Sequence, residues 1–393
     1  MATKRRRGAV ATQFPSSSRG LLRNERSQWH ASTTSLAFAR PSAHIVPMSF
    51  GSARDYNTLM PHICIVPYVE GLAGVASFRL KFEDGLRARG IEVTHDLKQP
   101  SDVVLVLAGT KNLLPLWRAR RRATRIVQRL DGVNWVHRVR WAGLRYTIRA
   151  IYGNANLSFI RRRLADHIIY QSNFIKDWWE DWYRPARVPS SVILNGVDLE
   201  QYSPNGLHER PSGHYRILIV EGSLSGGLDS GLHSAVSLAN KLSQKSRVEL
   251  FVVSRVDKRT QTRLINQNAF RIKFMESIPR EQIPWLMRSS HLLFSAEVNP
   301  PCPNSVIESL ACGLPVIGFD TGSLSEIVQG DAGRLAPYGG NQWKLKPPDI
   351  PALAKAAEEV LDDQPRFRKS AREQAENVLG LDMMVDEYLK VLL

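Results

Sequence analysis

The sequence predicts an α/β protein of two tandem Rossmann-like, doubly wound domains that face each other across a cleft. Short segments that are apolar throughout, such as "HICIVPYV" and "DVVLVLAG", alternate with helical stretches, which is typical of a parallel sheet covered on both faces. The pattern stops at residues 201–215, which contain two prolines and two glycines, and then restarts. A length of 393 residues suits two domains of ordinary size.

The first domain is expected over residues 60–205. Its strands are predicted at "HICIVPYV", "IEVT", "DVVLVLAG", "RIVQRLDG", "HIIYQS" and "SVILNGVD", in that order. A helix follows the first strand and stops at Gly90, and another runs through Tyr183. A long arginine-rich segment separates the fourth strand from the fifth.

The second domain is expected over residues 206–365. Its strands are predicted at "RILIVEG", "VELFVV", "RIKFME", "HLLFSAE", "VIGF" and "AGRLAPY", with a glycine-rich loop after the first and helices between them. Helical patterns then continue to the end of the chain. In doubly wound sheets the ligand lies at the carboxyl ends of the strands, so the expected binding site is the cleft between the two domains.

The net charge of +16 lies mostly in two segments. Residues 1–59 carry nine lysines and arginines against two acids, and residues 118–163 carry thirteen arginines against one acid. Such segments favour nucleic acid, anionic lipid or a phosphorylated ligand. The serine- and arginine-rich composition of residues 1–59 indicates a disordered extension, a wrongly chosen start codon or a targeting signal.

Two further observations bear on the cellular compartment. No apolar run approaches the roughly 18 residues that a membrane-spanning helix needs. The three cysteines lie in apolar surroundings without the spacing of metal ligands, so we expect reduced thiols in a cytoplasmic protein.

The segment "PPCPNSVIESLACGLPVIGFDTGSLSEIV" carries the most specific chemistry. Prolines interrupt the loop before the helix, which is expected to begin at Asn304 or Ser305. Ser305 and Glu308 fit a capping box, which is the structural interpretation. The functional interpretation is that the helix start faces the cleft and favours a phosphate. Glu308 then accepts hydrogen bonds from sugar hydroxyls.

This segment resembles the signature of retaining GT-B glycosyltransferases, particularly glycosyltransferase family 4. "SVILNGVDLEQYSP" and "ADHIIYQSNF" resemble two other segments of that family, in the same order. The resemblance runs from about residue 60 to the end of the chain. It implies a nucleotide-sugar donor on the second domain, an acceptor on the first, and C-terminal helices, residues 366–393, that pack back on the first domain.

The resemblance also implies roles for individual residues. Glu308 matches the acid that binds the donor's ribose, and Asn304 and Ser305 match positions near the sugar and phosphates. The family's other acid, which contacts the donor sugar, falls on Pro300 here, while Glu297 is near but out of register.

The loop after "RILIVEG" departs from the family as well. Many relatives carry an arginine and a lysine there to neutralise the diphosphate, but here the expected phosphate-binding positions are Gly222, Ser223, Gly226 and Gly227. Backbone N–H groups of such a loop can hold phosphate, and Arg255 or Lys258 can supply the cation. A flexible turn and a surface charge are the alternative interpretations.

Two features belong to the acceptor side. Gly71 and Gly74, in "EGLAGVA", allow a close approach of the backbone to an acceptor or phosphate, unless they form only a strand–helix turn. Asp131 is either a general base for the acceptor hydroxyl or a structural carboxylate paired with arginine.

The arginine-rich segment, residues 118–163, contains several aromatic residues. A helix of this composition is suited to lie on anionic lipid, although a helix that packs its aromatics inward is the alternative. Nucleic acid is not an expected partner, because a pair of doubly wound domains offers no element that reads a groove.

From the resemblance we expect a retaining glycosyltransferase that uses a UDP- or GDP-linked sugar as co-substrate and acts on a glycan, lipid-linked or small-molecule acceptor. No cofactor is expected, and since no D-x-D sequence occurs, no metal held by that motif is expected. The location is expected to be cytoplasmic, in peripheral contact with the membrane. The alternatives are a non-transferring GT-B protein, either epimerase-like or a degenerate nucleotide-sugar binder, and a basic nucleic-acid-binding protein.

Overall fold

A computed structural model describes residues 61–71, 74–141, 143–224 and 229–393. Three of the expectations above, for residues 1–59, Gly226 and Gly227, therefore lie outside the described residues.

The N-terminal domain is built on a parallel sheet with the strand order β2-β1-β3-β4-β5-β6. Its central strands are apolar throughout and buried on both faces, as the sequence predicts. The strands are β1 (His62–Val66), β2 (Glu92–Thr94), β3 (Val103–Leu107), β4 (Arg125–Leu130), β5 (His167–Tyr170) and β6 (Ser190–Val192). The helices are α1 (Val75–Ala88), α2 (Leu113–Arg121), α3 (Leu144–Arg163) and α4 (Asn173–Tyr183), with a 3₁₀ turn at Val136–Arg138.

The C-terminal domain has a second parallel sheet, with the order β12-β11-β10-β7-β8-β9. The strands are β7 (Tyr215–Ser223), β8 (Val248–Arg255), β9 (Arg271–Met275), β10 (Leu292–Phe294), β11 (Val316–Phe319) and β12 (Gly333–Ala336). The helices are α5 (Ser230–Leu242), α6 (Lys258–Gln267), α7 (Ile283–Arg288), α8 (Asn304–Ala311), α9 (Leu324–Ile327), α10 (Ile350–Asp362), α11 (Gln364–Val378) and α12 (Leu381–Leu392). Three 3₁₀ turns lie at Arg280–Gln282, Gly330–Ala332 and Gln342–Lys344.

These two sheets confirm the predicted pair of doubly wound domains. In each sheet the order in which successive strands are added reverses between two neighbouring strands. These are β1 and β3 in the first sheet and β7 and β10 in the second. Such a switch point opens a crevice at the carboxyl ends of the strands, where ligands of this architecture bind. Strand β10 ends at Phe294, three residues before the expected end at Glu297, which leaves Glu297 in the loop.

The end of the chain returns to the N-terminal domain through α12. Tyr388 of this helix packs against Phe78 and Phe82 of α1, with ring centroids 5.4 and 4.9 Å away. Helix α11 instead packs against α8 and the turn at Gly330–Ala332, in the C-terminal domain. Of the C-terminal helices that were expected to pack back on the first domain, α12 is therefore the one that makes the contact.

A second contact between the domains is aromatic. Trp343, in a 3₁₀ turn of the C-terminal domain, lies against four rings of the N-terminal domain. The centroid distances are 5.3 Å to Trp135, 6.0 Å to Phe174, 4.8 Å to Trp178 and 6.2 Å to Trp182. Aromatic pairs at such distances stabilise beyond the area that they bury. This cluster and α12 both join the two domains.

We predict that Trp343→Ala lowers the free energy of unfolding by about 2 kcal/mol, because it removes a half-buried ring from the contact between the domains. Denaturant unfolding followed by tryptophan fluorescence and circular dichroism measures the change. Trp285→Ala is the matched control, since Trp285 is an exposed ring on α7 within one domain. Equal losses in the two variants would contradict the interdomain role.

Candidate functional site

A cavity of about 540 Å³ lies between the carboxyl ends of the two sheets. Eight of the residues predicted from the sequence line it: Gly74, Asp131, Gly222, Arg255, Glu297, Asn304, Ser305 and Glu308. Gly71 and Ser223 are described but do not line this cavity. Its volume is in the range of sites for small organic ligands.

Helix α8 begins at the wall of this cavity. Its first residue is Asn304, after Pro303 in the capping position, and no side chain caps the helix. Ser305 is then the second helical residue, so the capping box with Glu308 is wrong: Ser305 sits inside the helix, where its hydroxyl cannot replace a capping residue. The first N–H groups of α8 have no partner within the helix and are open to an anion.

Glu308 lines the cavity one turn into α8, and it is 8% exposed. Its Oε1 atom accepts a hydrogen bond from Nζ of Lys81 at 2.7 Å, and the lysine side chain is 4% exposed. Lys81 belongs to α1 of the N-terminal domain. A buried ion pair therefore joins the two domains at the carboxylate that was expected to bind the donor.

Pro300, at the position of the family's other acid, is buried under the neighbouring loop. A Cβ atom on Gly322 would come within 2.4 Å of Pro300, and the φ angle of Gly322 is +64°, so only glycine fits there. The carbonyl oxygen of Pro300 accepts a hydrogen bond from the Ser323 N–H at 2.9 Å. The position is thus occupied by packing between two loops.

Two other acids, Glu221 and Glu297, line the same side of the cavity. Glu297 follows β10 and Glu221 lies at the end of β7, so that they flank the switch point of the second sheet. Burial, and then the nearby Glu297 carboxylate, raise the pKa of Glu221 to about 8. Burial raises the pKa of Glu297 to about 7. Glu297 keeps more of its surface open to the cleft than Glu221 does.

The end of β7 is irregular. Its pairing with β8 shifts register between Val220 and Ser223, which is the geometry of a β-bulge. The bulge explains how Glu221 and Gly222 both reach the cavity. Arg255 lies beside them, and its Nε donates to the carbonyl oxygen of Gly222 at 3.1 Å. Lys258, the other expected cation, begins α6 and does not line this cavity.

Asp131 lies on the N-terminal wall and is bound by other side chains. Its Oδ1 accepts from Nη1 of Arg129 at 2.6 Å and also from the amide of Gln171. Arg129 is 2% exposed, and its Nη2 donates to Oδ1 of Asn195 at 2.8 Å. The arginine-paired arrangement, one of the two interpretations from the sequence, is therefore present, in a residue that still faces the cavity.

The N-terminal wall touches the C-terminal domain through hydrogen bonds. Asn195 Nδ2 donates to the carbonyl oxygen of Cys302 at 3.0 Å and to Oδ1 of Asn304 at 3.2 Å. Ser172 Oγ donates to the carbonyl oxygen of Pro301 at 2.8 Å. The start of α8 is thus held by residues that follow β5 and β6.

The start of α4, by contrast, is already capped. The carboxylate of Glu326, in α9 of the C-terminal domain, accepts from the backbone N–H groups of Asn173 and Phe174 at 2.8 Å each. Such a carboxylate neutralises the positive end of a helix. This contact joins the domains on the side of β5.

On the acceptor side, Gly74 lines the cavity at the start of α1. Its φ angle is +56°, and a Cβ atom placed on it would meet no atom within 4 Å. The position therefore needs glycine for its backbone conformation and leaves open space in the cavity beside it.

Sequence reasoning missed several residues of the cavity. Arg129, Gln171, Asn195, Tyr202, Glu221, Glu276 and Arg280 line it but were not predicted, and neither was Lys81, the partner of Glu308. Arg129 and Gln171 each sit at or just after the end of a predicted strand, which was a usable signal. Nothing in the sequence pattern distinguished Lys81 from the other polar residues of α1.

None of the described helices is both long enough and apolar enough to cross a bilayer. No group of three or more histidine, cysteine, aspartate or glutamate side chains in the described ranges is arranged to hold a metal ion.

Comparison with known proteins agrees with this geometry. Residues 221–378 match the family model described as glycosyl transferases group 1. A curated relative, the 2-deoxystreptamine N-acetyl-D-glucosaminyltransferase of Streptomyces fradiae, is 27% identical over 113 residues, which are 28% of this chain and 25% of the relative. The aligned part thus spans about a quarter of that protein.

Solved structures extend the likeness to most of the chain. The sucrose-phosphate synthase of Thermosynechococcus elongatus is similar with a TM-score of 0.65 and 16% identity, over 84% of this chain and 98% of its own. Anabaena HepE, in complex with UDP and glucose, has a TM-score of 0.61 and 16% identity, over 84% and 99%. The solved structures confirm the GT-B fold, and the family match confirms the resemblance over residues 221–378.

The ion pair between the domains gives the first prediction from this site. Lys81→Met is expected to lower the free energy of unfolding by about 3 kcal/mol or more, because it leaves the Glu308 carboxylate buried without a partner. Adding Glu308→Gln to Lys81→Met is expected to recover part of that loss, since the uncompensated charge is gone. Urea unfolding of the two single variants and the double variant measures the coupling.

Lys369→Met, at an exposed lysine 3.7 Å from Glu373, is the matched control and should change little. Additive effects of the Lys81 and Glu308 substitutions would argue against a direct ion pair.

The acid pair gives a prediction of pH dependence. In the folded protein Glu221 and Glu297 keep their protons to about pH 8 and 7, whereas the unfolded chain loses them near the usual value of 4.5. Between pH 4.5 and these values the folded state binds more protons than the unfolded chain, so stability falls as the pH rises from about 4.5 and levels off above about 8. Glu221→Gln should flatten this fall in melting temperature between pH 5 and 9, whereas the surface variant Glu281→Gln should not.

Proposed function

We propose that this chain, whose residues 221–378 match the glycosyl transferases group 1 within a GT-B fold, transfers a sugar from a nucleotide-sugar donor with retention of configuration. The observation that carries the proposal is the wall of the cavity at α8. An open helix start and, one turn later, a carboxylate face the same space between the two domains. An open helix start favours phosphate and a carboxylate accepts hydrogen bonds from hydroxyl groups, and a nucleotide sugar carries both.

The donor would lie along the C-terminal wall. Glu308 would accept hydrogen bonds from the ribose, and Asn304, Ser305 and the backbone near Gly222 would lie at the phosphates. Arg255, which is exposed beside Gly222, is the nearest predicted cation for the diphosphate. Anabaena HepE was solved with UDP and glucose, so a UDP-linked sugar is the first donor to test, with GDP-linked sugars as the second class.

The reaction would depend on position and charge. In the retaining mechanism that the resemblance implies, the departing diphosphate takes the proton of the acceptor hydroxyl on the same face of the sugar. Asp131, already bound by Arg129 and Gln171, then serves to position the acceptor side and is not needed as a base. The helix start and the cations would stabilise the charge that develops on the leaving diphosphate.

The acceptor would enter from the N-terminal wall, past Gly74. A glycan, a lipid-linked sugar and a small molecule all remain acceptor classes of this proposal. Residues 118–163 would bring the enzyme into peripheral contact with an anionic membrane, on its cytoplasmic face.

The test of the donor site is titration calorimetry with UDP and GDP. We expect one of them to bind the wild-type protein, and Glu308→Gln to weaken that binding about 10- to 100-fold through loss of hydrogen bonds to a charged acceptor. Glu373→Gln, on the exposed face of α11, is the matched control and should bind like the wild type. Unchanged binding in Glu308→Gln would remove this carboxylate from the donor site.

Turnover distinguishes a transferase from a protein that only binds nucleotide sugars. Release of UDP or GDP from a panel of nucleotide sugars, with and without acceptors, is the measurement. Nucleotide binding without any release would favour the non-transferring GT-B protein, and binding of oligonucleotides alone would reject the donor site.

A further inference from the structure

The outer face of α3 exposes a row of large apolar side chains. Six such residues are exposed between residues 141 and 159: Trp141, Leu144, Ile148, Ile151, Tyr152 and Phe159. Trp141 is 75% exposed and Leu144 63%. Within α3 the spacing by three and four residues places the members on one side of the helix, away from the buried Ala150, Asn154 and Ser158. We call this row the α3 stripe.

Arginines border the α3 stripe. Arg145 and Arg149 each follow a member of the stripe by one residue, and Arg162 and Arg163 lie at the end of the helix; all four are exposed. Residues 132–165 contain seven arginines and no acid. An exposed apolar row with cations beside it is complementary to a surface whose outer layer is negatively charged and whose interior is apolar.

A cavity of about 450 Å³ opens beside the stripe. Ile151 and Phe159 of the stripe form part of its wall, and Arg138, Arg162 and Arg163 form another part. None of these three arginines makes an ion pair with a carboxylate in the part of the chain that the structure describes. The cavity therefore presents three cations without a counter-ion next to apolar side chains that face outward.

His137 in the same cavity is consistent with an excess of positive charge. Burial, and then the neighbouring Arg138, lower the pKa of His137, and its Nδ1 atom is buried without a hydrogen-bond partner. A phosphate in this cavity would supply the missing negative charge.

One loop links the wall of this cavity to the acceptor side of the cleft. Asn154, in its wall, accepts a hydrogen bond from the backbone N–H of Asn134 at 3.0 Å through Oδ1 and donates to the Asn134 carbonyl oxygen at 2.8 Å through Nδ2. Asn134 lies three residues after Asp131, which lines the cleft. The same short loop therefore has one end in the cleft and the other end against this cavity.

From these observations we propose that the cavity beside α3 binds the phosphate headgroup of an anionic membrane lipid, while the α3 stripe inserts among the acyl chains. The proposal deepens the proposed function, on which it rests for the identity of the cleft, because it assigns the acceptor side to a bilayer surface. Charge complementarity favours this occupant. A second copy of the chain would bring the same seven arginines against each other, and an RNA would not require the apolar row.

The experiment is sedimentation of the full chain with vesicles of phosphatidylcholine alone and of phosphatidylcholine mixed with phosphatidylglycerol. We expect binding to the mixed vesicles that weakens as salt is raised. Arg162→Gln with Arg163→Gln should weaken it about tenfold or more, since two cations near the surface are lost. Ile148→Ser with Ile151→Ser should weaken it as well, and excess inorganic phosphate should compete only in part, because it cannot replace insertion of the stripe.

Matched controls keep the number of changes the same. Arg259→Gln with Arg263→Gln removes two exposed arginines from α6, and Leu207→Ser with Ile265→Ser removes two exposed apolar residues outside α3. Both should bind vesicles like the wild type. All substituted positions are exposed at the surface, so circular dichroism should show folded variants.

Three outcomes would overturn the proposal. These are no binding of wild-type protein to mixed vesicles, equal binding by the arginine variants and their controls, and a stripe-dependent dimer or oligonucleotide complex that forms in preference to the vesicle complex. UDP and GDP titration of the same variants separates this test from the test of the cleft. Unchanged nucleotide binding with lost vesicle binding supports the membrane site. Unchanged nucleotide binding with unchanged vesicle binding rejects the membrane site while leaving the donor site standing.

Discussion

The contact between Lys81 and Glu308 constrains the whole arrangement, because it places a buried charge from each domain within 2.7 Å of the other. Neither charge is stable in the interior alone, since each would lose its hydration without compensation. The two domains must therefore approach closely enough for the pair to form. Around it, Asn195 and Ser172 bind the loop before α8, and Trp343 fills the gap beside α4. The cavity is what remains between these contacts.

Much of this fold could be predicted from the sequence, because its strands are short, apolar and buried on both faces. The twelve strands of the described residues lie where apolar runs interrupt the helical pattern, and α8 begins at Asn304, where the prolines end. Errors came at the ends of helices and strands. The capping box depended on local spacing alone, but Pro303 takes the capping position. The length of β10 was overestimated because the loop after it is also buried.

The site was predicted less completely, for a physical reason. Motif positions such as Glu308 and Asn304 lie near each other in the chain, so their chemistry is visible locally. Arg129 and Lys81 reach the site from the other domain, and only the docking of the domains brings them there. Glu221 lines the cavity through a bulge in β7, which no periodicity indicates. The two carboxyl groups at the switch point, those of Glu221 and Glu297, therefore lie at other positions than the family's acid, which falls on Pro300.

The capping of α4 by Glu326 has a consequence for where an anion can settle. Helices α4 and α8 belong to different domains and both begin where the domains meet. The positive N-terminal end of α4 is neutralised by the Glu326 carboxylate of the other domain. The other helix, α8, has no side-chain cap and still offers free N–H groups to an anion. A diphosphate that entered the cavity would therefore be attracted at α8 and repelled at the start of α4, where the Glu326 carboxylate carries like charge. This contact between the domains would in that way bias the orientation of an anionic ligand.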